Sequence, residues 1–325
     1  MRLITRDDFV DTYVKIKQRG FAFFSSKFNL NEVKRAKSAF NHSTIDTSNW
    51  WIIPKVIERW NLLVTGNKDL GFVDFTVNTF LKDKNNIKML SLGSGNCSSE
   101  LKFASYKNFE DILCVDISNV RLQEAKQIAE HKKLTNINFS VSNANTYTFP
   151  KNHFDIIYFR ASLHHFKNVD HLVGKLIKDA LKPNGFLIID EYVGPNRLQF
   201  SKNQITAINK AITLIPKKYR KRYKLNLYKN KISGSGLLRM KIADPSECID
   251  SENILPSIHN NFETIYEANY GGNILAAALK DIAHHFREIN SEKEIILNNL
   301  FEFEDDYLKK HPSDFVFGIY KPLTL

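Results

Sequence analysis

Four groups of residues have chemistry to offer. The first is LSLGSGN at 90–96, where an apolar run ends in Gly93-Ser94-Gly95-Asn96 and gives way to polar residues suited to a helix start. Glycines let a backbone approach a ligand with no Cβ in the way, and the unpaired N–H groups of the following helix face the same place, so this turn is a cofactor seat. The second is Asp116, 21 residues beyond Gly95. A carboxylate at that spacing can accept hydrogen bonds from both ribose hydroxyls of an adenosine group, which serves NAD and S-adenosylmethionine alike. The third comprises His164-His165, imidazoles able to move protons near neutral pH, and Glu191-Tyr192 at the end of an apolar run. The fourth is a basic run, Lys217, Lys218, Arg220, Lys221, Arg222 and Lys224, interleaved with Tyr219 and Tyr223. It reads as a solvated face, as a phosphate or carboxylate clamp beside an active site, or as a nucleic-acid footprint, with the clamp favoured over the footprint.

The elements that position these groups follow from hydrophobic periodicity. From Ile87 onward, IKMLSLG, DILCVDIS, INFSVSNA, FDIIYFR and FLIIDEY read as strands. They alternate with helices in SSELKFASY, NVRLQEAKQIAEHKK and VDHLVGKLIKDAL, with a loop at NTYTFPKNH and a turn at KPNG. Strands alternating with helices at this spacing predict a parallel sheet with right-handed crossovers and helices on both faces. Ligands then lie outside the carboxyl ends of the strands, so Gly93, Gly95, Asp116, Asn143, Arg160 and Glu191 should share one rim. FETIYEANY and SDFVFGIYKPL look like two further strands, separated by a helical stretch.

Residues 1–84 carry helix-spaced apolar positions in VDTYVKIKQRGFAFF, NEVKRAKSAF and VDFTVNTFL and read as an N-terminal helical extension. Within it, Trp50-Trp51-Ile52-Ile53-Pro54 precedes a helix with Pro54 in its first turn, and either tryptophan could be core or cover the cofactor pocket. The core is expected at 85–194 and 261–325. Between them, 195–260 breaks the strand-helix rhythm with FSKNQITAINKAITLIP, the basic run and SGSG at 233–236, and reads as a cap over the acceptor side. Arg197, Tyr219 and Arg220 in this cap, with Trp51, are the candidate acceptor-binding residues. His284-His285 reads as a surface or core pair.

A formal charge of +11 and a pI near 9.3 favour an anionic partner. No run reaches the roughly 18 apolar residues needed to span a bilayer, and charges in MRLITRDDFVD break the apolar core of a signal peptide, so a soluble cytoplasmic protein is expected. Cys97, Cys114 and Cys248 form no CxxC and are odd in number, which disfavours a disulfide framework and a zinc site; no metal ligand set is expected.

Over 87–192 the chain resembles the class I S-adenosylmethionine-dependent methyltransferases, through LSLGSGN, LCVDIS, SNA, FDIIYFRASLHHF and LKPNGFLIIDEYVGP. The dinucleotide fingerprint wants a third glycine where Ser98 stands, which sets the chain apart from NAD enzymes. The resemblance implies a Rossmann-like, seven-stranded, mostly parallel sheet whose antiparallel last strand is inserted beside its predecessor. It also implies that Gly93 and Gly95 border the methionine moiety, with Ser94 and Asn96 also binding the cofactor, and that Asp116 holds the ribose. Ile117 would pack on adenine, Asn143 would replace the usual Asp at the adenine amino group with Ala144 offering its N–H, and Arg160 would lie on the cofactor side. Ser91 replaces the family's usual acid and Cys97 its third glycine. LHH and DEYVGP resemble a smaller bacterial set that Trp51–Pro54 and Tyr270-Gly271-Gly272 also fit.

The expectation is methyl transfer from S-adenosylmethionine, releasing S-adenosylhomocysteine, to a small polar and anionic acceptor such as a saccharide or carboxylate. His164, His165, Glu191 and Tyr192 are the candidate catalytic groups. A tRNA or rRNA methyltransferase using the basic run is one alternative, although FRASLHH stands where an exocyclic-amine enzyme carries an Asn/Asp-Pro-Pro-aromatic tetrapeptide. A NAD-dependent oxidoreductase and a catalytically silent cofactor scaffold are the others. The acceptor, the atom methylated and the choice between monomer and homodimer are not written in the sequence.

Overall fold

The computed structural model describes residues 1–19 and 48–323. NEVKRAKSAF, expected to be helical, lies outside the described residues, as does the end of VDTYVKIKQRGFAFF beyond the Arg6–Arg19 helix. Seven strands form one sheet: β1 (Ile87–Leu92), β2 (Phe109–Asp116), β3 (Ile137–Val141), β4 (Phe154–Arg160), β5 (Leu181–Tyr192), β6 (Phe262–Gly271) and β7 (Phe315–Pro322), in the order β3-β2-β1-β4-β5-β7-β6. Strands β1 to β5 pair in parallel, and β7 runs antiparallel between β5 and β6. This is the Rossmann-like sheet expected, with the last strand inserted beside its predecessor.

The central strands β1, β4 and β5 are largely apolar because both faces are covered, whereas β3 and β6 at the sheet edges carry exposed polar residues. Period-2 alternation sends Met89, Ile112, Cys114, Ile156, Tyr158 and Ile188 to one face, under Val73, Val77, Leu101, Phe103 and Leu122 of three helices. Leu90, Leu92, Val115, Ile157, Phe159 and Ile189 go to the other. There they meet Val169, Leu172, Val173, Ile177, Ile254 and Ile258. Val169–His171, Leu172–Ile177 and Lys178–Ala180 follow one another as a helical stretch whose middle is π-wound. The expected KPNG turn lies inside β5, looped out so that Gly185 comes back against the Lys182 carbonyl. Phe154 pairs with Leu181 and Ile156 with Phe186, so the intervening residues are extruded from the ladder without ending the strand.

A third apolar cluster forms a helical layer beyond the rim from three distant stretches of chain. Trp50, Ile53 and Val56 pack with Ile208, Ala211, Ile212 and Ile215, and with Leu275, Ala278, Leu279, Leu297 and Leu300. Trp50 meets Trp60 edge-on at 4.6 Å and Phe315 at 5.2 Å. Gly272, at φ +83°, makes this contact fit, since a Cβ there would come within 2.3 Å of Phe315 and 2.7 Å of Trp50. Trp50 is therefore core, whereas Trp51 is 52% exposed. The SGSG segment owes its conformation to the N-terminal helix. Asp7 accepts from the Ser233 and Gly234 N–H groups at 2.7 and 2.9 Å, and Asp8 from that of Gly236 at 2.8 Å.

Polar joints tie the layer to the sheet. Gln204 Nε2 donates to Asn273 O at 3.1 Å and to Asp314 Oδ2 at 2.7 Å, while Asp314 N donates to Asn273 Oδ1 at 3.0 Å. Burial pushes the Asp314 carboxyl up to about 7, against the stabilising bond from Gln204. Because the folded pKa exceeds the unfolded one, this group's contribution is greatest below pH about 4 and is lost as the pH rises through about 7. Asp314→Asn should therefore flatten the stability profile between those limits by up to ~1.4 kcal/mol per pH unit. Urea unfolding of both proteins across that range checks it; parallel profiles would refute the assignment.

Candidate active site

The chain leaves β1 at the sheet's centre, runs outward to β3 and returns to β4, so the loops after β1 and β4 diverge at a topological switch point. Gly93 and Gly95 both take left-handed backbone, φ 68° and 57°. A Cβ on Gly93 would stand 2.7 Å from that of Ser162, whose hydroxyl donates to Leu92 O at 2.8 Å. The two diverging loops thus touch through a glycine. Cys97, where the resembled family has its third glycine, is also left-handed at φ 54° and buries its thiol. Asp116 Oδ2 accepts from Gly95 N at 2.9 Å and Oδ1 from Ser118 N at 2.7 Å, so the carboxylate is fixed beside the glycine turn. Ser94 and Ile117 are half-buried and Asn96 is exposed. Asn143 Oδ1 accepts from Asn145 N at 3.1 Å and caps the short Ala144–Thr146 turn.

Beneath the turn lies a polar network that sequence reasoning did not find. Ser91 donates to Glu100 Oε1 at 2.6 Å, so the carboxylate absent at position 91 is supplied to it from the next helix. Burial pushes the Glu100 carboxyl up. Arg160 Nε donates to Asp190 Oδ2 at 3.1 Å, its Nη1 to Ser98 and Ser99 hydroxyls at 3.1 and 2.7 Å, and Tyr270 donates to Asp190 Oδ1 at 2.6 Å. Arg160 Nη2 makes no hydrogen bond among the described residues, and the side chain is about half exposed. The one sequence signal was the missing acid at Ser91; nothing marked Glu100 as its partner.

On the other face of the same strand ends, Glu191 is fully buried. Its Oε2 accepts from Ser162 N at 2.8 Å and Leu163 N at 2.6 Å, and its Oε1 from Tyr192 N at 2.8 Å and from His164 Nδ1. Burial opposes a charged His164, but Glu191 and Glu247 outweigh it and raise the imidazole to about 9. His165 is lowered by burial and by the His164 charge. The two rings lie 4.3 Å apart. Tyr192 donates to Pro195 O at 3.1 Å.

The insertion reaches this pair through 244–250, with Ile249 N donating to His164 O at 3.1 Å. Arg197, one of the expected acceptor ligands, donates to Glu247 O at 3.0 Å and Pro245 O at 2.8 Å and so shapes this segment. Tyr219 donates to Glu292 at 2.8 Å and packs on Phe286. Two of the six cations of the basic run are paired, Lys218 with Glu292 and Arg222 with Asp281, while Lys217 sits over the Tyr228 ring. Arg220 makes no side-chain hydrogen bond among the described residues, and its Nε is buried. His284 and His285 bond to Ser48 Oγ at 3.0 Å and Lys221 O at 2.9 Å, as a structural pair would.

The family model for a methyltransferase domain matches residues 83–263, more than half of the chain. The chain belongs to the methyltransferase-domain family. The enzyme class expected from the sequence, a methyltransferase with S-adenosylmethionine as cofactor, agrees with this membership. An uncharacterized methyltransferase, YcgJ of Bacillus subtilis (strain 168), is 29% identical over 105 residues, 32% of this chain and 41% of the relative. The ubiquinone/menaquinone biosynthesis C-methyltransferase UbiE of Shewanella pealeana is 29% identical over 111 residues, 34% of this chain and 44% of that one. The chain thus spans less than half the length of these curated relatives. Among solved structures, phosphoethanolamine N-methyltransferase 2 of Haemonchus contortus, in complex with S-adenosyl-L-methionine, superposes with a TM-score of 0.46 at 15% identity, covering 96% of this chain and 60% of that one. Among the described residues no helix is long and apolar enough to cross a membrane.

Removing the charge of Glu191 would set four donors against an amide. Glu191→Gln should cost about 3 kcal/mol of stability, the penalty for breaking a buried, hydrogen-bonded ion pair, read as a lowered urea midpoint at unchanged slope. A loss under about 0.5 kcal/mol would show that the carboxylate does not organise this loop.

Proposed function

We propose that this chain transfers a methyl group from S-adenosylmethionine to a small polar, anionic acceptor, a saccharide or carboxylate being the classes its charge suits. The observation that carries the cofactor half is an Asp116 carboxylate fixed beside the glycine turn together with an Arg160 guanidinium that is held by Asp190, Ser98 and Ser99 and has Nη2 to spare. The residues present fit the group. Gly93 and Gly95 give the backbone its close approach, Asp116 retains lone pairs for ribose hydroxyls, and Arg160 offers a charged donor to the methionine carboxylate. Ile117 would border the adenine, with Asn143 and Ala144 at its edge.

When bound, the cofactor supplies an electrophilic methyl on a sulfonium with a good leaving group, so the protein has to place the acceptor in line and exclude water. His164, His165, Glu191 and Tyr192 would form the acceptor side, with Glu191 fixing the ring of His164 and the 244–250 segment closing over it. The anionic acceptor reading is supported by Arg220, whose guanidinium is spared from the ion pairing that consumes Lys218 and Arg222.

Calorimetry separates the parts of this reading. S-adenosylhomocysteine should bind and NADH should not. Asp116→Asn and Arg160→Lys should each weaken S-adenosylhomocysteine by about 10- to 100-fold, the loss of one charge-assisted contact. Arg220→Ala should leave that affinity intact and raise the KM for acceptor. Tight NADH binding with none for S-adenosylhomocysteine would overturn the cofactor, and loss of cofactor binding in Arg220→Ala would overturn the acceptor assignment.

A further inference from the structure

One nitrogen of His164, one of His165 and a carboxylate oxygen of Glu247 lie within 4.8 Å of one another. Their protons are assigned by the neighbours. Glu191 already accepts three backbone N–H groups, so the ring nitrogen facing it, His164 Nδ1, must be the donor. In the neutral ring the lone pair is then on Nε2, which stands 3.8 Å from Glu247 Oε1. His165 is set the same way one step removed. Ser246 donates its hydroxyl hydrogen to Asp244 Oδ1 at 2.6 Å, and its oxygen lies 3.2 Å from His165 Nδ1, which therefore donates and puts the lone pair on the other nitrogen. Each imidazole is thus backed by a carboxylate, directly by Glu191 or through a hydroxyl by Asp244. That backing is what fixes the tautomer and raises the basicity of metal-ligating histidines.

We infer that His164, His165 and Glu247 bind a divalent first-row transition metal ion. The inference goes beyond methyl transfer and stands without it. Two imidazoles and one carboxylate are a donor set suited to Zn²⁺, and also to Fe²⁺ with open positions. Ligands at about 2.0–2.2 Å from such an ion stand ~3.4 Å apart, whereas His164 Nε2 stands 3.8 Å from Glu247 and the three donor atoms lie within 4.8 Å of one another, so binding has to draw them together by up to ~1.4 Å. Glu247, with its side chain 34% exposed, lies on the solvent side of that movement. His164 is buried while His165 and Glu247 are half-buried, so the set opens toward solvent on one side and leaves a position for an oxygen ligand, water or an oxygen of a bound molecule. The cysteines take no part. Cys248 is buried with its thiol directed at Glu247 Oε1, 3.3 Å away. The rival account is that the cluster holds a proton between Glu191 and Glu247 and no metal.

The full chain, freed of metal with a chelator, is titrated near neutral pH with Zn²⁺ and separately with Co²⁺. One equivalent of each should bind at micromolar concentration or tighter, with Co²⁺ giving visible ligand-field absorption. Glu247→Gln and His165→Ala should each weaken both metals at least tenfold, and Ser246→Ala about tenfold by releasing the ring of His165. Thermal melts of the metal-free variants should match the parent, which excludes a failure to fold. Replacing both His284 and His285 by Ala should change nothing. Absence of the Co²⁺ band, stoichiometric binding that survives Glu247→Gln, or binding lost with His284 and His285 would each overturn the site in favour of the proton-holding cluster. Calorimetry with S-adenosylhomocysteine on Glu247→Gln keeps the outcomes apart, since affinity for that ligand should be untouched.

Discussion

A carboxylate with no access to water must have its charge met by the protein, and Glu191 is the point at which this chain meets that demand. The donors that satisfy it are the N–H groups of Ser162, Leu163 and Tyr192 and the imidazole of His164. Meeting the demand bends the loop after β4 back toward the end of β5. That bend carries Ser162 against Gly93, which explains why the glycine turn tolerates no Cβ there, and it sets the direction of the His164 ring. The geometry of the glycine turn and that of the histidine pair are therefore two consequences of one buried charge.

Much of the sheet was legible because its signal is local. Apolar runs bounded by turn residues located the strands, and the order of strands and helices implied the crossovers. Gly93, Gly95 and Asp116 could be paired because both are fixed to strand ends of known separation. The contacts that failed to show are those joining residues without a common period. Ser91 and Glu100 meet because a helix turns back over β1. Asp190 is held by Arg160 and Tyr270, and Tyr270 lies 80 residues away on another strand. Charge was only partly legible for the same reason. Nothing in the basic run marks Lys218 and Arg222 as the two cations that Glu292 and Asp281, 74 and 59 residues further on, fold against.

Local rules also gave way where packing overruled them. KPNG has every property of a turn and is looped out as one, yet it does not end the strand, because β5 pairs with β4 on both sides of it. Cys97 adopts a left-handed backbone that costs a non-glycine residue about 1–2 kcal/mol, and its buried thiol is part of what offsets that cost.

The helical layer over the rim is assembled from stretches near residues 50, 210 and 290, which precede β1, join β5 to β6 and join β6 to β7 respectively. Such a layer has no single hinge. Lifting any one stretch breaks the Trp50 stack or the Gln204–Asp314–Asn273 joint held by the other two, so the three are bound to move together or not at all.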